Sequence, residues 1–170
     1  HGTGITANSS PDYITTGPDG NVWFTEYDGN RIGRITPDHV VTEFSAGISN
    51  DAEFGGITAG PDGNVWFTEY NANRIGRITP DGVVTEFNSG LHDGASPGGI
   101  VAGADGNVWF TEYDGNRIGR ITPQGVITEF SAGLTVNSGP NFIENGPDGN
   151  LWFTENNVDQ IGRITTTGVV

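Results

Sequence analysis

The chain has 170 residues, of which 28 are glycine and 9 proline, and 21 acidic residues outweigh 7 basic ones to leave a formal charge of −14. Glycine and proline at that density, with no apolar residues at helical spacing, exclude a helical domain. The scarcity of clustered cations argues against nucleic acid and anionic membranes as partners. With no cysteine there is no disulfide framework and no thiol chemistry, and no run of about 18 apolar residues is present to cross a bilayer. These features leave the compartment open, with a secreted or extracellular one favoured.

The first ten residues precede any clear pattern. His1 with a free terminal amine has the makings of a copper ligand, but a lone terminal histidine is more often simply solvated. Gly4-Ile5-Thr6 is similar to Val126-Ile127-Thr128, so residues 1–10 are expected to complete a terminal structural unit by supplying or extending its outer strand.

From there the chain repeats. Gly17-Pro18-Asp19-Gly20-Asn21-Val22-Trp23-Phe24-Thr25-Glu26 returns at Gly60, Gly103 and, more loosely, Gly146, and the four tryptophans Trp23, Trp66, Trp109 and Trp152 are spaced 43 residues apart. Such a period must be recognised before any local reading. In the second unit Gly56–Ala59 reads as a short inner strand. Pro61-Asp62-Gly63-Asn64 is a tight turn, with proline presetting φ and glycine free for positive φ. Val65–Tyr70 is the strongest strand, rich in β-branched and aromatic residues. Arg74–Thr79 and Val83–Phe87 follow as the third and outer strands, and the loop 88–97 leads to the next unit.

Four strands in about 43 residues match the blade of a β-propeller. Trp66, Thr68 and Tyr70 face one way and Val65, Phe67 and Glu69 the other, so both faces are apolar and both expect cover. A solenoid would have shorter turns without this fourfold punctuation. The predicted fold is all-β, a propeller with four four-stranded antiparallel blades at about 11–44, 54–87, 97–130 and 140–170. A homodimer making an eight-bladed ring is the expected assembly.

The units resemble those of the streptogramin B lyase family, through Gly-Pro-Asp-Gly-Asn-Val-Trp-Phe-Thr-Glu, Asn-Arg-Ile-Gly-Arg-Ile-Thr and Val-Thr-Glu-Phe. The resemblance covers all four units. It implies a propeller, ordinarily of seven blades, that opens an antibiotic ester by elimination with magnesium. It also implies a role for a glutamate of the Trp-Phe-Thr-Glu block, at Glu26, Glu69, Glu112 or Glu155, of which Glu69 and Glu112 are the catalytic candidates. The family's histidines fall 14 residues before those glutamates, where this chain has Asp12, Gly55, Gly98 and Asn141. An acidic residue two positions before one such histidine is matched by Glu53, so Glu53 and Glu69 are the candidate magnesium ligands. Elimination needs a base of near-neutral pKa, a role histidine suits. His39 and His92 lie off the motif.

Other residues bear weighing. The repeated glutamates either ring a central opening or pair with repeat arginines, and pairing is favoured. Asp19, Asp62, Asp105 and Asp148 lack the further carboxylates of a calcium loop and read as turn formers. Tyr27, Tyr70 and Tyr113, with Asp28 and Asp114, suit sugar stacking and hydrogen bonding, or else simply pack at blade edges. The leading functional expectation is a non-catalytic, lectin-like binding propeller for a small-molecule or glycan ligand. The alternative is a magnesium-dependent lyase, and a third is a propeller piece or designed repeat with no function of its own.

Overall fold

The computed structural model describes residues 4–170, and the copper reading of His1 lies outside them. Among the described residues there are fifteen strands, no helix and four antiparallel sheets, each a meander in chain order. The first blade is β1 (Pro11–Thr16), β2 (Val22–Glu26), β3 (Arg31–Ile35) and β4 (Val41–Phe44). The second is β5 (Phe54–Ala59), β6 (Val65–Glu69), β7 (Arg74–Ile78) and β8 (Val84–Phe87). The third is β9 (Pro97–Ala102), β10 (Val108–Glu112), β11 (Arg117–Ile121) and β12 (Ile127–Phe130). The fourth has only three strands, β13 (Pro140–Asn145), β14 (Leu151–Glu155) and β15 (Gln160–Ile164). The inner strand of the second unit starts two residues earlier than its turn chemistry suggests, because Phe54 still pairs with Glu69 across a bulge.

Alternation along the second strand of each blade decides the packing. Trp23 and Ile32 leave one face of the first blade and enter a cluster with Phe54, Ile57, Val65, Phe67 and Ile78 of the second. Trp66 and Ile75 meet the third blade in the same way, and Trp109 and Ile118 meet the fourth. Burying side chains of this size is worth roughly 2 kcal/mol each, so the blade junctions carry most of the apolar stabilisation. Each indole also stacks on the outer-strand phenylalanine of its own blade, Trp23 on Phe44 at 5.6 Å and Trp66 on Phe87 at 5.5 Å.

Polar contacts repeat across the same junctions. The Thr68 hydroxyl donates to the Gly98 carbonyl at 2.6 Å, and Thr111 to Asn141 at 2.5 Å. Arg34 reaches the Pro80 carbonyl at 2.6 Å and Arg77 the Pro123 carbonyl at 2.9 Å. Asn30, Asn73 and Asn116 hold positive φ and hook the loop entering the next blade.

The amino-terminal segment lies against the outer strand of a terminal blade, the first. Thr6 donates its backbone N–H and its hydroxyl to the Glu43 carboxylate, both at 2.6 Å, and Gly4 sits over Val41. Ser49 makes the same pair of bonds to Glu86 one repeat later. Gly4-Ile5-Thr6 is thus in register with the inter-blade segment Gly47-Ile48-Ser49. It lies against the first blade and lends no outer strand to the fourth.

The inner strands pack in the series β1, β5, β9, β13, with no comparable packing from β13 back to β1 among the described residues. Ile14 is 70% exposed at one end of the series, and Trp152 and Ile161 are 40% and 64% exposed at the other. The four blades form an open arc.

Candidate functional site

Glu26, Glu69 and Glu112 end the second strands, directly across from Arg31, Arg74 and Arg117. All three are fully buried, and among the described residues none of their carboxylate oxygens has a hydrogen-bond partner. The arginines expected to pair with them turn instead to the outer-strand acids, Arg31 to Glu43 at 3.1 Å, Arg74 to Glu86 at 3.4 Å and Arg117 to Glu129 at 3.6 Å. Only Arg31 also comes within 4.0 Å of its buried glutamate. Burial pushes Glu69 and Glu112 up to about 8 and Glu26 to about 7, with Glu86, Glu129 and Glu43 adding repulsion. A carboxyl so placed stays protonated through mildly acidic pH and is sealed from any ligand.

The positions where the family places histidines lie second in the inner strands. Asp12 is exposed, whereas a Cβ on Gly55 would meet the Pro97 carbonyl at 2.8 Å and one on Gly98 the Thr111 hydroxyl at 3.1 Å. A side chain at Gly55 would therefore need the backbone of the next blade to move. His39 and His92 are exposed in turns and loops away from these strands.

Glu53 and Glu69 do not assemble a metal centre. Glu53 acts on the Tyr27 hydroxyl, raising that phenol's pKa together with burial, while Glu69 stands beside Glu86. Among the described residues no three His, Asp or Glu side chains converge. Magnesium requires near-octahedral oxygen coordination with retained waters, and a sealed carboxylate beside an arginine does not offer it. The residues present do not fit that ion.

The tyrosines form a row along one rim. Tyr70 donates to Asp114 at 3.4 Å and Tyr113 to Asn157 at 2.9 Å, each bridging to the following blade. Tyr27 is the most open of them. It lines a cleft of about 410 Å³ with Ser10, Pro11, Asp12 and Asp28, in which the Ser10 hydroxyl bonds to Asp28. Tyr27 and Asp28 are legible as candidates from the sequence. Ser10 and Asp12 are the additions, and the signal for them is the return of Ser10-Pro11 as Ser96-Pro97, with the Ser96 hydroxyl 2.6 Å from Asp114.

Antiparallel four-stranded sheets stacked face to face along a series of inner strands are the construction of a β-propeller. The Trp-Phe-Thr-Glu and Asn-Arg-Ile-Gly-Arg blocks supply its blade junctions. The chain belongs to the virginiamycin B lyase family, whose model matches residues 3–170. It is similar to virginiamycin B lyase from Staphylococcus aureus, with 44% identity, a TM-score of 0.91, and 98% of this chain and 56% of that one covered. The same values hold for a catalytically inactive histidine-to-alanine variant of that enzyme, solved with quinupristin. A streptogramin B lyase structure matches at 41% identity and a TM-score of 0.89, covering 97% of this chain and 54% of that one. The chain thus spans a little over half the length of these relatives. No curated protein sequence matches it.

Proposed function

We propose that this chain is a non-catalytic binding propeller of the lyase family. It takes a hydroxyl-bearing ligand, a glycan or a macrocycle with exposed polar groups, at the rim of Tyr27, Asp28, Ser10 and Asp12. The observation that carries the reading is the pairing of sealed glutamates with inner-strand positions that hold no histidine. This supports the reading because the carboxyls of near-neutral pKa in these blades, Glu26, Glu69 and Glu112, are sealed, and a general base must reach the proton it removes. The relative bearing a histidine-to-alanine change is inactive yet was solved with quinupristin, so loss of the base and retention of binding are compatible on this scaffold. The cleft volume falls within the usual range for small ligands, about 300–1,000 Å³, and the open Tyr27 ring supplies the stacking surface.

A second reading, lyase activity, is favoured by identity of 41–44% over nearly the whole chain. Incubation with quinupristin and magnesium, followed by mass spectrometry, separates the two. The expected result is intact antibiotic, and a ring-opened product would replace the binding reading with the lyase one. On a glycan array, or in calorimetry with quinupristin, Tyr27→Ala is expected to weaken any binding about tenfold, the loss of roughly one aromatic contact.

A further inference from the structure

Loop 45–53, between the first and second blades, lies on the face of β6 that ends in Glu69. Ile48 and Ala52 of the loop are buried in one cluster with Val65 and Phe67, the residues that alternate onto the face of Glu69. The last carbonyls of the loop, those of Ala52 and Glu53, accept from the Asn71 and Tyr70 N–H groups just after Glu69. In the third blade the same construction brings Ala95 of loop 88–96 and the Glu112 carboxylate around one turn glycine, 3.2 and 2.9 Å from where a Gly115 Cβ would stand. The loop is thus part of what seals each glutamate.

The side-chain anchor of loop 45–53 on the second blade is Glu86. It accepts from the Ser49 N–H and hydroxyl, and Arg74 stands 3.4 Å away, so both its oxygens are engaged. Glu86 is also the acid that stands beside Glu69. Among the described residues Glu86 and Arg74 are the charged groups acting on Glu69, whereas Asp51 and Glu53 of the loop act on Tyr27. With Glu69 protonated the two acids carry one charge for one guanidinium. With Glu69 ionised they carry two, and an uncompensated buried charge is costly. Relief comes most easily where the cover is a loop and not a strand ladder.

We propose that Glu69 is a proton lock on loop 45–53: protonated, it lets the loop close over it, and ionised, it drives the loop off the blade to reach water. The sign follows from linkage. Closed, Glu69 holds its proton up to about 8, and in an open loop it returns toward its ordinary 4.5. Opening therefore releases a proton between those values, and its equilibrium constant rises by about tenfold per pH unit across the window. The same loop carries Glu53, which acts on the Tyr27 hydroxyl. Any effect of opening on a ligand at that rim rests on the binding reading, and the lock itself does not.

Amide exchange of the unliganded 170-residue chain, followed by NMR between about pH 5 and 8, is the test. Hydroxide-catalysed exchange rises about tenfold per pH unit by itself, and the released proton should make that about a hundredfold at the Ser49 amide. The Val83 amide, bonded to the Thr79 hydroxyl in an exposed turn of the same blade, should rise only about tenfold. Glu69→Gln keeps the shape without the charge and should return Ser49 to about tenfold. The slope of the unmodified chain needs no variant, so a poorly folded Glu69→Gln leaves the test in force. A slope of about tenfold at Ser49 in the unmodified chain overturns the lock. Exchange of Ser49 at the rate of Phe67 in the middle of β6 also overturns it, because the whole blade would then be opening. The steep slope surviving in Glu69→Gln does the same, by giving the proton to another group. No ligand enters these measurements, so failure of the lock and failure of the binding reading are told apart.

Discussion

Gly76 lies opposite Phe67 on neighbouring strands, and a Cβ there would come 2.1 Å from the ring. The same pair recurs as Gly33 with Phe24, Gly119 with Phe110 and Gly162 with Phe153. The glycine is required by shape, since the ring lies flat over the third strand and fills the space a side chain would use. Phe67 is fully buried, so it has nowhere to retreat. Gly76→Ala is therefore expected to cost about 3 kcal/mol, at the upper end of ordinary overpacking, read as a lower urea midpoint with an unchanged slope. Glycine's presence in Arg-Ile-Gly-Arg-Ile is plain in the sequence, but its cause is not. Cross-strand register decides which ring meets which backbone, and register is a tertiary fact.

At the scale of the blade, the Pro-Asp-Gly-Asn turn does more than reverse the chain. Asp62 accepts from the Asn64 backbone at 3.3 Å, the Asn64 side chain at 2.7 Å and the Trp66 indole N–H at 2.9 Å, with Arg77 3.6 Å away. Burial alone would raise its pKa, but the bonds from Trp66 and Asn64 outweigh burial and hold it below the ordinary carboxylate value. One turn residue thus fixes the ring that anchors the junction. Asp62→Ala should lose about 2–3 kcal/mol, as a buried indole donor is left without its acceptor, and Asp62→Asn should recover part of it. A thermal melt compares the two. The turn and the strands are legible in the sequence because proline, glycine and β-branched residues act locally. The arginines are less so. Arg34, Arg77 and Arg120 share a pattern with Arg31, Arg74 and Arg117, yet the first set lies over tryptophan at 5.5 Å and the second reaches outer-strand acids. Alternation sends them to opposite faces, and only the identity of the neighbour tells what each face meets. The candidate site was legible in the same measure: the tyrosines and Asp28 stand out by repetition, while the sealing of Glu69 depends on a blade packed over it.

For the whole molecule these buried acids set how stability responds to pH. Glu26, Glu69 and Glu112 have folded pKa values of about 7, 8 and 8 against an ordinary 4.5, because the native state buries them beside another acid. The folded state thus holds protons that the unfolded chain releases near 4.5. Their favourable contribution is complete below that value and is lost as pH rises through 7 to 8. Each group can withdraw at most about 1.4 kcal/mol per pH unit over its window. The formal charge of −14 acts in the same direction, as ionising three more carboxyls adds to an existing repulsion. The glutamates that end the strongest strands are therefore destabilising at alkaline pH, and their retention inside the sheets costs stability that the aromatic junctions offset. The melting temperature is expected to be highest near pH 5 and to fall steadily to pH 8. Glu69→Gln, which keeps the shape and cannot ionise, should flatten that fall and raise the melting temperature at pH 8 while leaving it nearly unchanged at pH 5. A Glu69→Gln profile parallel to that of the unmodified chain would show that Glu69 keeps its charge in the fold, with Arg74 rather than a proton neutralising it.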